Sequence, residues 1–557
     1  MSERELRGLA ASGGVAIGRA LVWRDAEPTS GVGDPLAALD AVAAELARGA
    51  ARFRSAALDD EAEILETNML MAEDPALRLE VERLGAELGP ADALRKATAR
   101  HAEQLAALLD PMLAARATDV RQLGARAVRA LTGTAMPTPT EGSILVARDL
   151  GPADVAELSL DEGRVLGIAL AEGAATSHAA IMARALGVPM TVGVGDDLLS
   201  IVGGETLIVE GDSGAVVIDP SPRQLLDAES EVRRRRRARE ERAAARGLPA
   251  VTRDGRVVSL LCNASTAAEV TAGLDAGAEG VGLLRTELAF LEADAWPTED
   301  EHVSALSPPL APLSGRVATV RTLDFGADKT PPFLAGIAQR GLTLMLAHPA
   351  ELAKQLRAIV RAGESTQLRI LLPLVESAAQ VRAVRALVGN PAVAIGAMIE
   401  TPAAAARAAE IAAESDFLSI GTNDLVQYTL GLDREQPVAS AATAAEPIVL
   451  QLIAQVVAAA HAAGTTVEVC GEAAGEAEVA ALLVGLDVDE LSVAPARLDE
   501  VREVVRLLSM PDAADAVKQA LVAPSAHEAL GLARDLLSAE SRHETDQVLG
   551  GLGGAIT

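Results

Sequence analysis

The chain reads as a multidomain α/β protein: a mixed β/α domain interrupted by an all-helical insert, followed by a (β/α)8 TIM-type barrel. Three observations predict this. Beyond Pro249, eight apolar β-like runs alternate with Ala-rich helical stretches over about 300 residues, the size expected of such a barrel. Residues 35–133 are Ala-, Leu-, Glu- and Arg-rich with few breakers, a helical texture throughout. Gly-punctuated, β-like segments stand on both sides of that stretch.

Taken in order, residues 9–23 are the first β-like segment. Strands return at 143–147, 165–169 and 205–209, and 214–220 closes the set. These place one domain at 1–34 and 134–222, with its helical insert at 35–133. Residues 223–249 read as a charged linker helix, where the run Arg233 to Arg237 is flanked by Asp227, Glu229, Glu231, Glu240 and Glu241. A solvated, salt-bridged helix accounts for that run better than a nucleic-acid patch. The barrel occupies 250–557, with strands starting at Val257, Val281, Val317, Leu368, Val393, Phe417, Thr466 and Leu491.

Composition excludes several classes. Aromatics make up 1% of the 557 residues, so the cores must be aliphatic. A net charge of −30 argues against general nucleic-acid affinity. Two cysteines, Cys262 and Cys470, form no disulfide framework and suggest a reduced, cytoplasmic setting. The charged start, with no apolar run behind it, predicts no signal peptide, and no apolar run approaches a membrane span.

The segment Thr176-Ser177-His178 precedes an Ala- and Met-rich run. Thr176 and Ser177 suit a helix N-cap, and a histidine there lies beside free N–H groups and the positive end of the helix dipole. That environment favours phosphate. In the barrel half, polar residues follow five strands: Arg285-Thr286-Glu287, Arg321-Thr322-Leu323-Asp324, Glu400-Thr401-Pro402, Thr422-Asn423-Asp424 and Cys470-Gly471-Glu472. Barrel chemistry sits at the C-terminal strand ends, so these define one polar mouth. Two arginines supply bidentate donors for phosphate or carboxylate. Glu400 and Asp424 are hard oxygen ligands suited to Mg2+ with substrate oxygens and water completing its shell. Cys470 is either an inert buried thiol or a proton donor to carbon.

Thr176-Ser177-His178-x-x-Ile181-x-Ala183-Arg184 with Gly187-Val188-Pro189 resembles the phosphohistidine signature of phosphoenolpyruvate-utilising enzymes. Gly282 to Glu287, Arg321 to Asp324 with Gly326 to Lys329, Glu400 to Ala404, Ser419 to Leu425, Asp433-Arg434 and Cys470-Gly471-Glu472 resemble Enzyme I of the sugar phosphotransferase system, in that family's order. The resemblance implies that His178 accepts the phosphoryl group of phosphoenolpyruvate. It implies that Arg285, Arg321, Arg434, Asn423, Asp424 and Arg340 bind that substrate, that Glu400 and Asp424 hold Mg2+, and that Cys470 protonates the enolate carbon to give pyruvate. The insert, with its segment Glu66 to Asp74, then docks the histidine-containing phosphocarrier protein HPr, and the chain is a homodimer. The chain departs from the family pattern at Ala174, at Asn68 and over 438–445.

Two rivals remain open at the level of sequence. A dikinase or synthase would place a nucleotide-binding domain ahead of His178, and that region holds no phosphate-cradling Gly-rich loop. A non-catalytic paralogue that binds the carrier or a metabolite as a regulator would retain most of the same residues.

Overall fold

The computed structural model describes residues 4–24, 33–55, 59–107, 111–134, 136–140, 142–160, 165–326, 330–432 and 441–553. The chain divides into two compact units, Met1–Arg239 and Glu240–Thr557.

The first unit holds an eight-stranded sheet: β1 (Arg4–Arg7), β2 (Leu9–Ser12), β3 (Val15–Val22), β4 (Ser143–Ala147), β5 (Gly167–Leu170), β6 (Met190–Val192), β7 (Thr206–Glu210) and β8 (Ala215–Ile218). Their spatial order is β1-β8-β7-β3-β4-β5-β6-β2. The centre, β3-β4-β5-β6, is parallel, while β3 pairs antiparallel with β7. Every residue of β4 and β5 is buried, which is why both read as unbroken apolar runs rather than alternating ones.

Between β3 and β4 the chain builds α1 (Pro35–Ser55), α2 (Asp59–Glu73), α3 (Pro75–Leu88), α4 (Pro90–Ala106) and α5 (Pro111–Thr132). Short breaks separate them. Asp74 caps α3, its carboxylate accepting from the Ala76 and Leu77 N–H groups at 2.7 and 3.1 Å, and Pro75 supplies the preset first turn. One continuous core joins insert and sheet, from Leu39, Phe53, Leu65 and Leu94 to Leu145, Ile168 and Met182. Then come α6 (Pro152–Leu160) and α7 (His178–Ala185), packed on the sheet, and α8 (Pro222–Ala244), which carries the chain across the boundary between the units. On α8, Glu231 meets both Arg234 and Arg235, and Glu229 meets Arg233, the local pairing expected of a solvated helix.

The second unit is a closed parallel barrel: β9 (Ser259–Ala264), β10 (Gly280–Leu284), β11 (Val317–Arg321), β12 (Gln367–Leu372), β13 (Ala394–Ile399), β14 (Phe417–Ile420), β15 (Thr466–Val469) and β16 (Glu490–Val493). All begin within two residues of the expected starts, and β16 closes on β9. The shell between strands and helices is almost wholly Ala, Val, Leu and Ile. Inside the barrel a small apolar layer of Leu283, Leu371, Met398 and Phe417 lies with Cys470. Among the described residues, no helix is long and apolar enough to cross a membrane.

Candidate active site

In the first unit, α7 starts as its sequence dictates. Ser177 is extended, and its hydroxyl accepts from the Ala180 N–H at 3.3 Å. Arg184, one face round the same helix, donates to Ala175 O at 3.0 Å and Ala11 O at 2.7 Å, tying the preceding loop down. His178 is thereby fixed at the first helical position, half-buried.

The ring meets two side chains from the insert. Its Nδ1 lies 2.9 Å from Asp119 Oδ2 and 3.1 Å from Oδ1, and its Nε2 lies 3.4 Å from Arg116 Nη1. Asp119 is 4% exposed and also pairs with Arg116 at 3.3 Å. A carboxylate against Nδ1 favours the proton there and leaves the Nε2 lone pair as the nucleophile. Arg116 stands where an anion joined to Nε2 would form. Helix α5 is held in that position by Arg126, which pairs with Glu45, Asp154 and Glu157, and by Gln122, which donates to Asp149 Oδ2 at 2.8 Å.

At the C-terminal end of the barrel, Arg321 is the last residue of β11 and 5% exposed. Its Nη2 donates to Glu287 Oε1 at 2.5 Å, and Nη1 lies 3.4 Å from Asp324 Oδ2. Burial alone would lower its affinity for a proton, but Glu287, Asp324 and Glu400 outweigh it and hold the guanidinium charged. Thr286 fixes the strand end by donating to Arg321 O at 3.0 Å, and Gln355 in turn donates to Thr286 Oγ1 at 3.1 Å.

Arg340, ahead of the helix Gly341–Ala347, belongs to the same network. It reaches Asp424 Oδ1 at 3.1 Å and Asp324 Oδ2 at 3.4 Å. Glu400, directly after β13, accepts from the Leu374 N–H at 2.7 Å, and Leu374 adopts a left-handed φ of 50° to make that bond. Gly421 gives Glu400 its room: a Cβ there would sit 2.7 Å from Glu400 Cγ. Burial, then Asp424 and Asp324, push the Glu400 carboxyl well above the usual carboxylate range.

Carboxyl groups held this close favour a cation. Among the described residues, no group of three or more His, Cys, Asp or Glu side chains is placed to hold a metal unaided. Glu400 and Asp424 are the pair that could serve an ion taking one or two protein carboxylates and completing its shell from ligand and water, as Mg2+ does. The mouth also holds buried polar atoms with no hydrogen-bond partner, among them Arg321 Nε, Arg340 Nε, Thr322 Oγ1 and Thr422 Oγ1. They are N–H and O–H groups, able to donate, that stand beside an equally orphaned acceptor, Asp324 Oδ1.

Cys470 follows β15, 2% exposed, and its sulfur accepts from Ser419 Oγ at 3.2 Å. Burial pushes the thiol well above its ordinary value, so it stays protonated. Arg285 follows β10, half-buried, with its N–H bonded to Ala264 O at 2.9 Å. Asn423 is exposed and exchanges hydrogen bonds with Glu472, 3.3 and 3.2 Å. Arg434, and Ala327 to Lys329 of the quoted motif, lie outside the described residues.

The barrel mouth thus gathers Arg321, Arg340, Glu400 and Asp424 into one network, with Cys470 close enough to feel its charges. Glu287 and Asp324 emerge as members whose place at strand ends beside arginines is their sequence signal. Asp119 and Arg116 were not legible: the i, i+3 charge pair they form is common on helix surfaces.

Family models match three consecutive parts of the chain: the PEP-utilising enzyme N-terminal domain over 7–116, the mobile domain over 139–214 and the PEP-binding domain over 239–510. The phosphoenolpyruvate-protein phosphotransferase of Streptomyces coelicolor is 37% identical across 97% of this chain and 100% of its own length. Multiphosphoryl transfer proteins of Rhodobacter capsulatus and Xanthomonas campestris are 40% and 37% identical, over 77% and 94% of this chain. The chain spans 54% and 66% of those two proteins. With matches of this identity over the full length of such relatives, the chain belongs to the phosphoenolpyruvate-protein phosphotransferase family.

Proposed function

We propose that the chain takes the phosphoryl group of phosphoenolpyruvate onto His178, releases pyruvate, and passes the group to a histidine-containing phosphocarrier protein. The observation that carries this reading is the buried network of Arg321 and Arg340 among Glu287, Asp324, Glu400 and Asp424, with the Cys470 thiol within reach of the charges of Arg321 and Glu400. A small ester bearing both phosphate and carboxylate suits such a network, and Cys470 is our assignment for the proton donor to the departing enolate.

Arg321, Arg340 and Arg285 bind the phosphate and carboxylate of the substrate, with Arg434 and Asn423 contributing. Glu400 and Asp424 hold Mg2+, which when bound supplies charge neutralisation for the substrate's phosphate. The Nε2 lone pair of His178 attacks phosphorus, while Asp119 steadies the positive charge gained by the ring. Cys470 gives its proton to the enolate carbon. Helices α1 to α5 provide the surface for the carrier, the barrel unit provides the homodimer contact, and the protein works in the cytoplasm.

Labelled phosphoenolpyruvate with Mg2+ tests the reading. The wild type should acquire acid-labile, base-stable label, and His178→Ala should acquire none. A folded wild type that takes no label would overturn it in favour of a regulatory paralogue.

A further inference from the structure

The barrel interior holds a carboxyl that the proposed transfer does not use. Glu468 lies on β15, fully buried, and neither of its oxygens has a hydrogen-bond partner among the described residues. It points into the barrel: a Cβ on Gly282, on the far strand β10, would come within 2.5 Å of Glu468 Oε1. Gly282 therefore makes the room this carboxyl occupies. One layer on along the same strand face is Cys470, since side chains two apart share a face. The residue paired with Glu468 on the neighbouring strand is Ser419, whose hydroxyl donates to the Cys470 sulfur at 3.2 Å.

On its other side, Glu468 is paired in register with Glu490, which Arg369 clamps at 2.6 and 3.1 Å. Burial first, and the Glu490 charge second, outweigh Arg369 and hold Glu468 well above the carboxylate range. Glu468 is thus a neutral acid standing between an ion pair and a thiol. Arg369 also lines an open cavity of about 750 Å³ beside the starts of β12 and β13.

We propose that the Glu468 carboxyl returns a proton to the Cys470 thiolate after each turnover, through the Ser419 hydroxyl. The proposal rests on the reading of Cys470 as the donor to the enolate carbon. When pyruvate forms, the S–H bond breaks and a C–H bond is made, leaving a thiolate in a site that disfavours it. Ser419 then passes its hydroxyl proton to sulfur and takes the carboxyl proton of Glu468. Glu468 and Ser419 are paired in register on neighbouring strands, whose backbones lie about 4.8 Å apart, and the relay requires the Glu468 carboxyl to turn from Gly282 toward Ser419 Oγ. The carboxylate so formed recovers its proton from water at the Arg369 end. Glu468 acts through Cys470 and never touches substrate, so it is a positioning residue.

Two exchange reactions of the full chain with phosphoenolpyruvate, pyruvate and Mg2+ separate this role from a structural one. Exchange of carbon label between pyruvate and phosphoenolpyruvate only shuttles a proton between carbon and sulfur. Entry of solvent deuterium into the pyruvate methyl group requires sulfur to exchange its proton with water. In Glu468→Gln, which keeps shape and neutrality, carbon exchange should stay within about threefold of wild type, while deuterium entry falls at least about tenfold. Ser419→Ala, a second route to the same test, should lower the ratio of deuterium entry to carbon exchange in the same direction. Equal retention or equal loss of both exchanges in both variants would overturn the relay. A wild type with neither exchange would instead sink the proposed function and the relay with it.

Discussion

His178 and Arg321 stand at the two ends of the proposed transfer, and their surroundings are built on different terms. His178 is half-buried and meets two side chains, Asp119 and Arg116, both from a helix about sixty residues earlier. Arg321 is enclosed by Glu287, Asp324 and Glu400, with Thr286 and Gln355 fixing the backbone beneath it. The first arrangement holds its histidine through these side-chain contacts and is half open to solvent. The second sits on the rim of a closed barrel and loses its charge balance if any member is removed. A group that must meet both donor and acceptor belongs in the first kind of site, and a pocket that must present fixed charges to a small anion belongs in the second.

The comparison breaks most visibly if Arg321 proves dispensable. Arg321→Met should leave Glu287 and Asp324 buried with too little positive charge, costing the barrel about 3–5 kcal/mol. Trp296 packs in the barrel unit and Trp23 in the other, so in a Trp23→Phe background Trp296 fluorescence reports barrel unfolding in guanidinium. An unchanged midpoint would mean that the network is decoration. Substrate-dependent labelling of His178 should disappear in the same variant.

Asp119→Asn tests the other side. The asparagine preserves shape, and Asp119 anchors no barrel-like charge cluster, so the unfolding midpoint should hardly move. Loss of the carboxylate that orients Nδ1 should slow phosphorylation of His178 by about 100-fold in rapid-quench measurements. A variant as fast as wild type would show that Asp119 only seats the ring at rest. A variant that is slow because it is unstable would erase the contrast between the two sites.

How much of this was legible followed from the range of the interaction that builds each part. The eight barrel strands begin within two residues of their expected starts because each is a local apolar run bounded by turn residues. Arg321, Glu400, Asp424 and Cys470 could be picked out because the fold itself puts strand ends together. Arg340 stands at no strand end, yet its guanidinium bridges Asp324 and Asp424. Its signal was poor because an irregular loop, rather than a strand, brings it there. Asp119 and Arg116 reach His178 through the packing of α5, and Glu468 reaches its neighbourhood through a void left by Gly282 on another strand. Such contacts leave no period in the chain.

The smallest effect probes why His178 sits at a helix start. Ser177 caps α7 by accepting from the Ala180 N–H, and α7 is only eight residues long. Ser177→Ala should cost that helix about 1 kcal/mol, which is too little to unfold the unit but enough to fray the turn bearing the ring. Amide hydrogen exchange over 178–182 should therefore speed up roughly fivefold, while exchange in β4 and β5 stays as in wild type. Labelling of His178 should hardly slow, because the frayed state stays a small minority and the ring spends most of its time in the position that Asp119 and Arg116 define. If labelling slows as much as exchange quickens, the turn is already largely frayed in the wild type, and the cap serves the chemistry as well as the helix.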